Sequence, residues 1–284
     1  MKLKSVLKLV GLTSLAALTL AACAPASTAK EDANTIRVGL MAKSDTEEAR
    51  WDKIEELLQE EGVKIEYTEF TDYSQPNKAT ENGEVDVNAF QHYNFLNNWN
   101  KKNQGSLVPI ADTYFTAFRL YSGTKGGSER YTDVKQIPDG GSIAIPNDPV
   151  NESRALYLLQ SAGLLKLDVS GDTFAAIENI QENPKNLSIK ELDASQTARS
   201  LESVDAAIVN NDFVQEAGID FKKAIFVEVP DANAKQWYNF LAAKKDWEKS
   251  DKAAALKKLI KAYHTDEVKK VIEESSGGLD QPVW

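Results

Sequence analysis

From Thr35 onward the chain alternates short β-branched runs with amphipathic helical stretches, and that order of elements restricts it to layered α/β architectures. Residues 35–42 (TIRVGLMA) have the composition of a strand. Ser44-Asp-Thr-Glu47 is a capping box, and Trp51, Ile54, Leu57 and Leu58 follow at helical spacing up to Gly62. Residues 63–70 alternate with period two and read as a second strand. Residues 85–90 and 107–110 are further short strands, with a helix between them over residues 90–100. Strands joined through helices are βαβ units, which predict a mainly parallel sheet.

A second series of the same kind begins near Tyr114. Residues 142–146 are a strand, and residues 151–162 a helix capped by Asn151 and closed by Gly163. Residues 187–192 and 205–209 are strands around a short helix capped by Ser195. Strand patterns recur at 224–229 and 238–243, and helices are expected over 252–263 and 266–275. Two α/β lobes follow: residues 34–113 with 236–284, and residues 114–235. The crossing segments lie near 111–118 and 229–238. Ligands in such folds bind beyond the carboxyl ends of strands and in clefts between lobes.

Residues before Thr35 carry a different message. Lys2, Lys4 and Lys8 precede an apolar run over residues 9–22, too short to span a bilayer and suited to a secretory signal. The run ends in Leu20-Ala21-Ala22-Cys23, which resembles the lipobox of bacterial lipoproteins, and Cys23 is the only cysteine in the chain. Cleavage after residue 22 would leave Cys23 first, carrying lipid, with residues 24–33 as a flexible tether. Thiol catalysis and cysteine metal sites are thereby excluded. The chain has 33 basic and 43 acidic residues, a net charge of -10. Loss of the three leader lysines makes it -13, which argues against nucleic acid as a partner.

Catalytic and metal chemistry find little support. The two histidines, His92 and His264, are too few for a transition-metal receptor, and His264 is expected at the surface. Nucleophile elbows and phosphate-binding glycine loops are missing from the sequence. No cofactor and no enzymatic activity are expected.

Three groups of residues point to binding instead. In Ile145-Pro-Asn-Asp-Pro-Val-Asn-Glu-Ser-Arg-Ala155, a cap at Asn151 would place Arg154 in the first helical turn. A cation there opposes the helix dipole unless an anion sits between the two, so a carboxylate ligand is one reading. A surface pair with Glu152 or another acid is the other. Phe70, Tyr73, Phe90, Tyr93 and Phe95 form an aromatic cluster, suited either to a thioether tail or to ordinary core packing. Asn210 and Asn211 follow a strand and Asn239 starts one. They could hold an ammonium group, or Asn210-Asn211-Asp212 could be a turn.

Several segments together resemble the NlpA/MetQ lipoproteins, the methionine-binding components of methionine ABC importers. They are Phe70-Thr-Asp-Tyr-Ser-Gln-Pro-Asn77, Val85-Asp-Val-Asn-Ala-Phe-Gln-His92, Ile145-Pro-Asn-Asp-Pro-Val-Asn151, Arg154-Ala-Leu-Tyr-Leu-Leu-Gln-Ser-Ala-Gly-Leu165, Glu182-Asn-Pro-Lys-Asn-Leu187 and Ala206-Ala-Ile-Val-Asn210. The resemblance covers the mature chain in order. It implies a two-lobed, type II periplasmic-binding-protein-like α/β fold and capture of L-methionine in the inter-lobe cleft. The implied partners are an ABC permease, its ATPase subunit, and the membrane through lipid on Cys23. Residue by residue, it implies Arg154 on the ligand carboxylate and Asn210 and Asn239 on the amino-acid backbone, with Asn151 in the same loop. Phe70, Tyr73, Phe90, His92 and Tyr93 would stand around the side chain. Tyr93-Asn94-Phe95 after the His, Val150 before Asn151, and Arg119 depart from the family pattern. They bear on selectivity, so a methionine-containing dipeptide or another amino acid is an alternative ligand. A surface adhesin is the alternative of another class.

Overall fold

The computed structural model describes residues 32–284 apart from 172 and 231. The expected signal segment, Cys23 and the tether up to residue 31 lie outside the described residues. The first stretch runs β1 (Thr35–Met41), α1 (Asp45–Glu60), β2 (Lys64–Phe70), α2 (Pro76–Asn82), β3 (Val87–Asn88), α3 (Tyr93–Asn103) and β4 (Leu107–Asp112). Next come β5 (Tyr114–Thr116), β6 (Arg119–Ser122), a hairpin of β7 (Thr124–Lys125) and β8 (Ser128–Glu129), β9 (Ser142–Pro146) and α4 (Pro149–Ser161). They are followed by β10 (Lys166–Leu167), β11 (Ile180–Glu182), β12 (Ser188–Leu192), α5 (Ala194–Ser200), β13 (Ala206–Val209), α6 (Asn211–Glu216) and β14 (Ala224–Val227). β15 (Phe240–Lys244), α7 (Ala253–Tyr263), α8 (Asp266–Ser275) and β16 (Asp280–Pro282) come last.

Two five-stranded sheets organise these elements, in the orders β2-β1-β3-β15-β4 and β12-β9-β13-β6-β14. The βαβ units give the parallel pairs: β1 with β2 and β3, and β9 with β12 and β13. Each sheet is mainly parallel, as expected, with four of its five strands running the same way and one reversed. β15 runs antiparallel to β3 and β4, and β6 antiparallel to β13 and β14. β6 and β15 are the strands on which the chain arrives from the other sheet, and they enter from the opposite end. β16 pairs with β5 beside this crossing.

Each sheet has its own core. Trp51, Ile54 and Leu58 of α1 pack with Ile36, Val38 and Leu40 of β1, helical spacing meeting strand alternation. Leu156 and Leu159 of α4 pack with Ile143, Ile145 and Ile208. Each such side chain contributes about 1.5–3 kcal/mol by leaving water. One backbone crossing is tighter than any of these contacts. Gly123 donates its N–H to the Asp205 carbonyl at 2.7 Å, and a Cβ on it would stand 2.0 Å from the Val204 oxygen. Gly123→Ala is expected to cost about 1–3 kcal/mol in urea unfolding, because backbone on both sides must move. An unchanged midpoint would contradict this packing.

Side-chain capping shifts several expected boundaries. The strand expected over 85–90 is confined to β3, because Asn88 turns into a buried amide network with Asn77, Thr80 and Gln91. α3 starts after His92, whose Nδ1 accepts the Phe95 N–H at 3.3 Å. α4 is capped by Asp148 rather than Asn151, with Asp148 accepting from the N–H groups of Val150 (3.2 Å) and Asn151 (3.0 Å). Pro149 then occupies the first helical position, where a missing N–H costs nothing. Asp193, not Ser195, caps α5. His264 is not a free surface residue. Its Nε2 donates to the Asp112 carbonyl at 2.7 Å, and its ring stacks on Trp284.

Candidate ligand-binding site

The carboxyl ends of parallel strands from both sheets converge on one cavity. Tyr73 follows β2, Phe90 and His92 follow β3, Asn151 and Arg154 follow β9, and Asn210 and Asp212 follow β13. About 50 Å³ of it is open to the centre of a water-sized sphere, room for a few waters. Arg154, Asn210, Asn239, Asn151, Tyr73, Phe90 and His92, all singled out from the sequence, stand on its wall.

Two other residues do not. Phe70 lies behind the wall, in the cluster that holds Met41 and Phe90. Tyr93 faces away, its hydroxyl donating to Asp112 and its ring 4.7 Å from Phe240. The helix turn that starts at His92 puts Phe95, not Tyr93, on the cavity. Phe90, Phe95 and Tyr73 form the aromatic wall, with ring centroids 5.6–5.9 Å apart.

Arg154 is 7% exposed and lies in the second turn of α4, because the helix begins at Pro149. The dipole argument that placed it in the first turn therefore fails, and a different cradle holds the cation. Nε donates to Glu228 Oε1 at 2.9 Å and Nη2 to Glu228 Oε2 at 2.5 Å, a bidentate pair. Nη2 also donates to the Thr116 carbonyl at 3.0 Å. Phe118 and Trp237 stand 4.9 and 4.5 Å from the guanidinium carbon. Nη1 makes no hydrogen bond among the described residues. Burial works to raise the Glu228 carboxyl, but the Arg154 charge, its hydrogen bonds and the Phe118 N–H outweigh it and hold the group below the usual range. The pair is thus ionised, and one guanidinium nitrogen is left for something else.

The other polar groups are equally constrained. His92 Nε2 donates to Asn151 Oδ1 at 3.3 Å, since Nδ1 is committed as the α3 cap. Burial first, then the Arg154 charge, push its pKa down to about 3, so the ring is a neutral wall. Asn210 caps α6 through its backbone, and its side-chain Oδ1 is buried without a hydrogen-bond partner. An orphaned buried acceptor beside a cavity calls for a donor from whatever fills it. Tyr73 OH donates to Asp212 Oδ2 at 2.7 Å, joining the two halves of the cavity.

Asp212, Phe118, Glu228 and Trp237 were not singled out from the sequence. Asp212 was read as part of a turn, Phe118 and Trp237 sit on the crossing segments, and Glu228 falls in the strand pattern over 224–229. Only an unmatched charge in Val227-Glu-Val229 could have pointed to Glu228.

The sequence matches the model of the NlpA lipoprotein family over residues 36–284. The chain belongs to the NlpA lipoprotein family. The substrate-binding protein of a methionine transporter from Streptococcus pneumoniae is 67% identical, with a TM-score of 0.87 over 88% of this chain and 96% of that one. A nutrient-binding protein from Burkholderia cenocepacia, solved bound to methionine, is 35% identical with a TM-score of 0.78 over 88% of this chain and all (100%) of that one. The D-methionine-binding lipoprotein MetQ of Yersinia pestis is 31% identical over 100% of this chain and 99% of its own. These NlpA relatives are binding proteins by name, and in this NlpA lipoprotein the cavity holds donors, acceptors and rings rather than a nucleophile with its base.

Proposed function

We propose that this chain captures L-methionine between its lobes and hands it to an ABC permease driven by a separate ATPase subunit. Lipid on Cys23 would tether it to the extracytoplasmic face of the cell membrane. The lobes divide near residues 113–114 and 235–236 and hinge on the two crossing segments. No bond is made or broken.

One observation carries the reading. A single aromatic-walled cavity holds an unbonded guanidinium nitrogen of Arg154 and an unbonded buried amide oxygen of Asn210, among the described residues. That is a donor for a carboxylate and an acceptor for an ammonium, the two ends of a zwitterionic amino acid. Phe90, Phe95 and Tyr73 suit a thioether, since sulfur–ring contacts contribute about 0.3–1.5 kcal/mol each. His92, held neutral, adds no charge to repel an apolar tail.

A thermal-shift panel of the common amino acids with D-methionine and Gly-Met tests the assignment. L-methionine is expected to raise the melting temperature most, because a ligand that binds only the folded state stabilises it by mass action. A larger shift with Gly-Met or with another amino acid would replace methionine as the ligand and keep the site.

A further inference from the structure

We propose that Asp212 is the counter-ion for the ammonium of the captured amino acid, and that its carboxyl releases a proton to solvent when the ligand enters. The inference rests on the amino-acid reading above and extends it to a residue and a linkage that reading does not need.

The geometry comes first. Asp212 lies in the first turn of α6, two residues after Asn210, and both line the cavity. Its Oδ2 accepts from Tyr73 OH at 2.7 Å, from the other side of the cleft. Oδ1 has no hydrogen bond from the described residues. Asp212 and Asn210 thus line one space, where Asn210 Oδ1 is buried without a partner and Asp212 Oδ1 accepts no hydrogen bond from the described residues. An ammonium group carries three N–H donors and a charge, and would serve both.

Charge bookkeeping in the cleft leads to the same place. Asp212 forms no ion pair among the described residues. The groups facing it are Tyr73 after β2, Glu47 and Arg50 on α1, Tyr114 on β5 and Asp280 on β16. Arg50 is the cation of that set, and it is already bonded to Glu47 at 2.5 Å and Asp280 at 2.7 Å. Arg154 across the cavity is likewise taken by Glu228. Burial, and then Glu47 and Asp280, push the Asp212 carboxyl up to about 7, against the Tyr73 hydrogen bond and Arg50. The empty site therefore holds Asp212 partly protonated near neutral pH. A bound ammonium favours the ionised form and lowers that pKa.

Above pH about 7 Asp212 is already ionised and the ammonium binds without cost. As pH falls below that value, binding must expel a proton, and affinity drops up to about tenfold per pH unit until the bound-state pKa is reached. His92 cannot supply this dependence, because its pKa of about 3 keeps it neutral throughout.

Calorimetric titration of the soluble mature chain with L-methionine tests the proposal, at about pH 5.5 and about pH 8. A companion titration at about pH 7 uses two buffers of different ionisation enthalpy. The wild type is expected to bind about tenfold or more weakly at the lower pH and to show buffer-dependent heat from proton release. Asp212→Asn is expected to bind about tenfold or more weakly than wild type at about pH 8, with little change on acidification. The buffer pair needs only the wild type, so the result stands even if the variant does not fold. Methionine binding that ignores pH and buffer overturns this inference alone. Absence of methionine binding at both pH values overturns the functional reading and this inference with it.

Discussion

Arg154→Ala is expected to weaken methionine binding by about a hundredfold or more, because it removes the cation that lines the cavity among the described residues. The same substitution is also expected to destabilise the empty protein, by about 3 kcal/mol. It leaves the Glu228 carboxylate, only 17% exposed, without its partner. Arg154 thus serves both ligand and fold. The two effects separate in the double variant Arg154→Met with Glu228→Gln. Removing both charges relieves the unpaired carboxylate, so urea unfolding is expected to recover most of the lost stability. Methionine affinity is expected to stay lost. Binding that returns with stability would show that Arg154 acts only by holding the cleft together.

The second large effect lies beside the crossing segments. Arg50 is 1% exposed and joins four elements through its partners. It bonds Glu47 on its own helix α1 and Asp280 of β16, and its guanidinium sits 4.3 Å from the Tyr114 ring on β5. Asp280 in turn accepts from Thr116 Oγ1 at 2.6 Å and Asn211 Nδ2 at 3.1 Å. Arg50→Ala would leave Asp280, also 1% exposed, as a buried uncompensated charge. A loss of about 3–5 kcal/mol in unfolding free energy is expected, with β16 becoming open to proteolysis first. A melting temperature within a degree or two of wild type would mean that water reaches Asp280 and the network is dispensable.

What the sequence revealed, and what it hid, divides along physical lines. Patterns set by burial were legible: Trp51, Ile54 and Leu58 at helical spacing do face β1, and residues 266–275 form α8. Strand ends placed Asn210, Asn151, Phe90 and Tyr73 together because parallel strands point their carboxyl ends the same way. Details decided by a single side chain were not legible. Asp148 and Asn151 are both good caps, and which one acts depends on where Pro149 falls. That choice moved Arg154 by most of a turn and removed the dipole argument. Tyr93 and Phe95 exchange places on the cavity for the same reason, since His92 sets the helix phase. The pairs of Arg154 with Glu228, within one lobe, and of Tyr73 with Asp212, across the cleft, join residues far apart in sequence. Only the tertiary fold brings them together.

One free amino acid is expected to bridge Arg154 and Asn210. The direct measurement is a calorimetric titration with L-methionine, after unfolding and refolding the protein to strip any carried-over ligand. Saturable one-to-one binding at micromolar or lower concentrations, lost in the Arg154→Met, Glu228→Gln variant, is the result expected. No binding by the refolded wild type at millimolar methionine, or equal binding by the double variant, would contradict it.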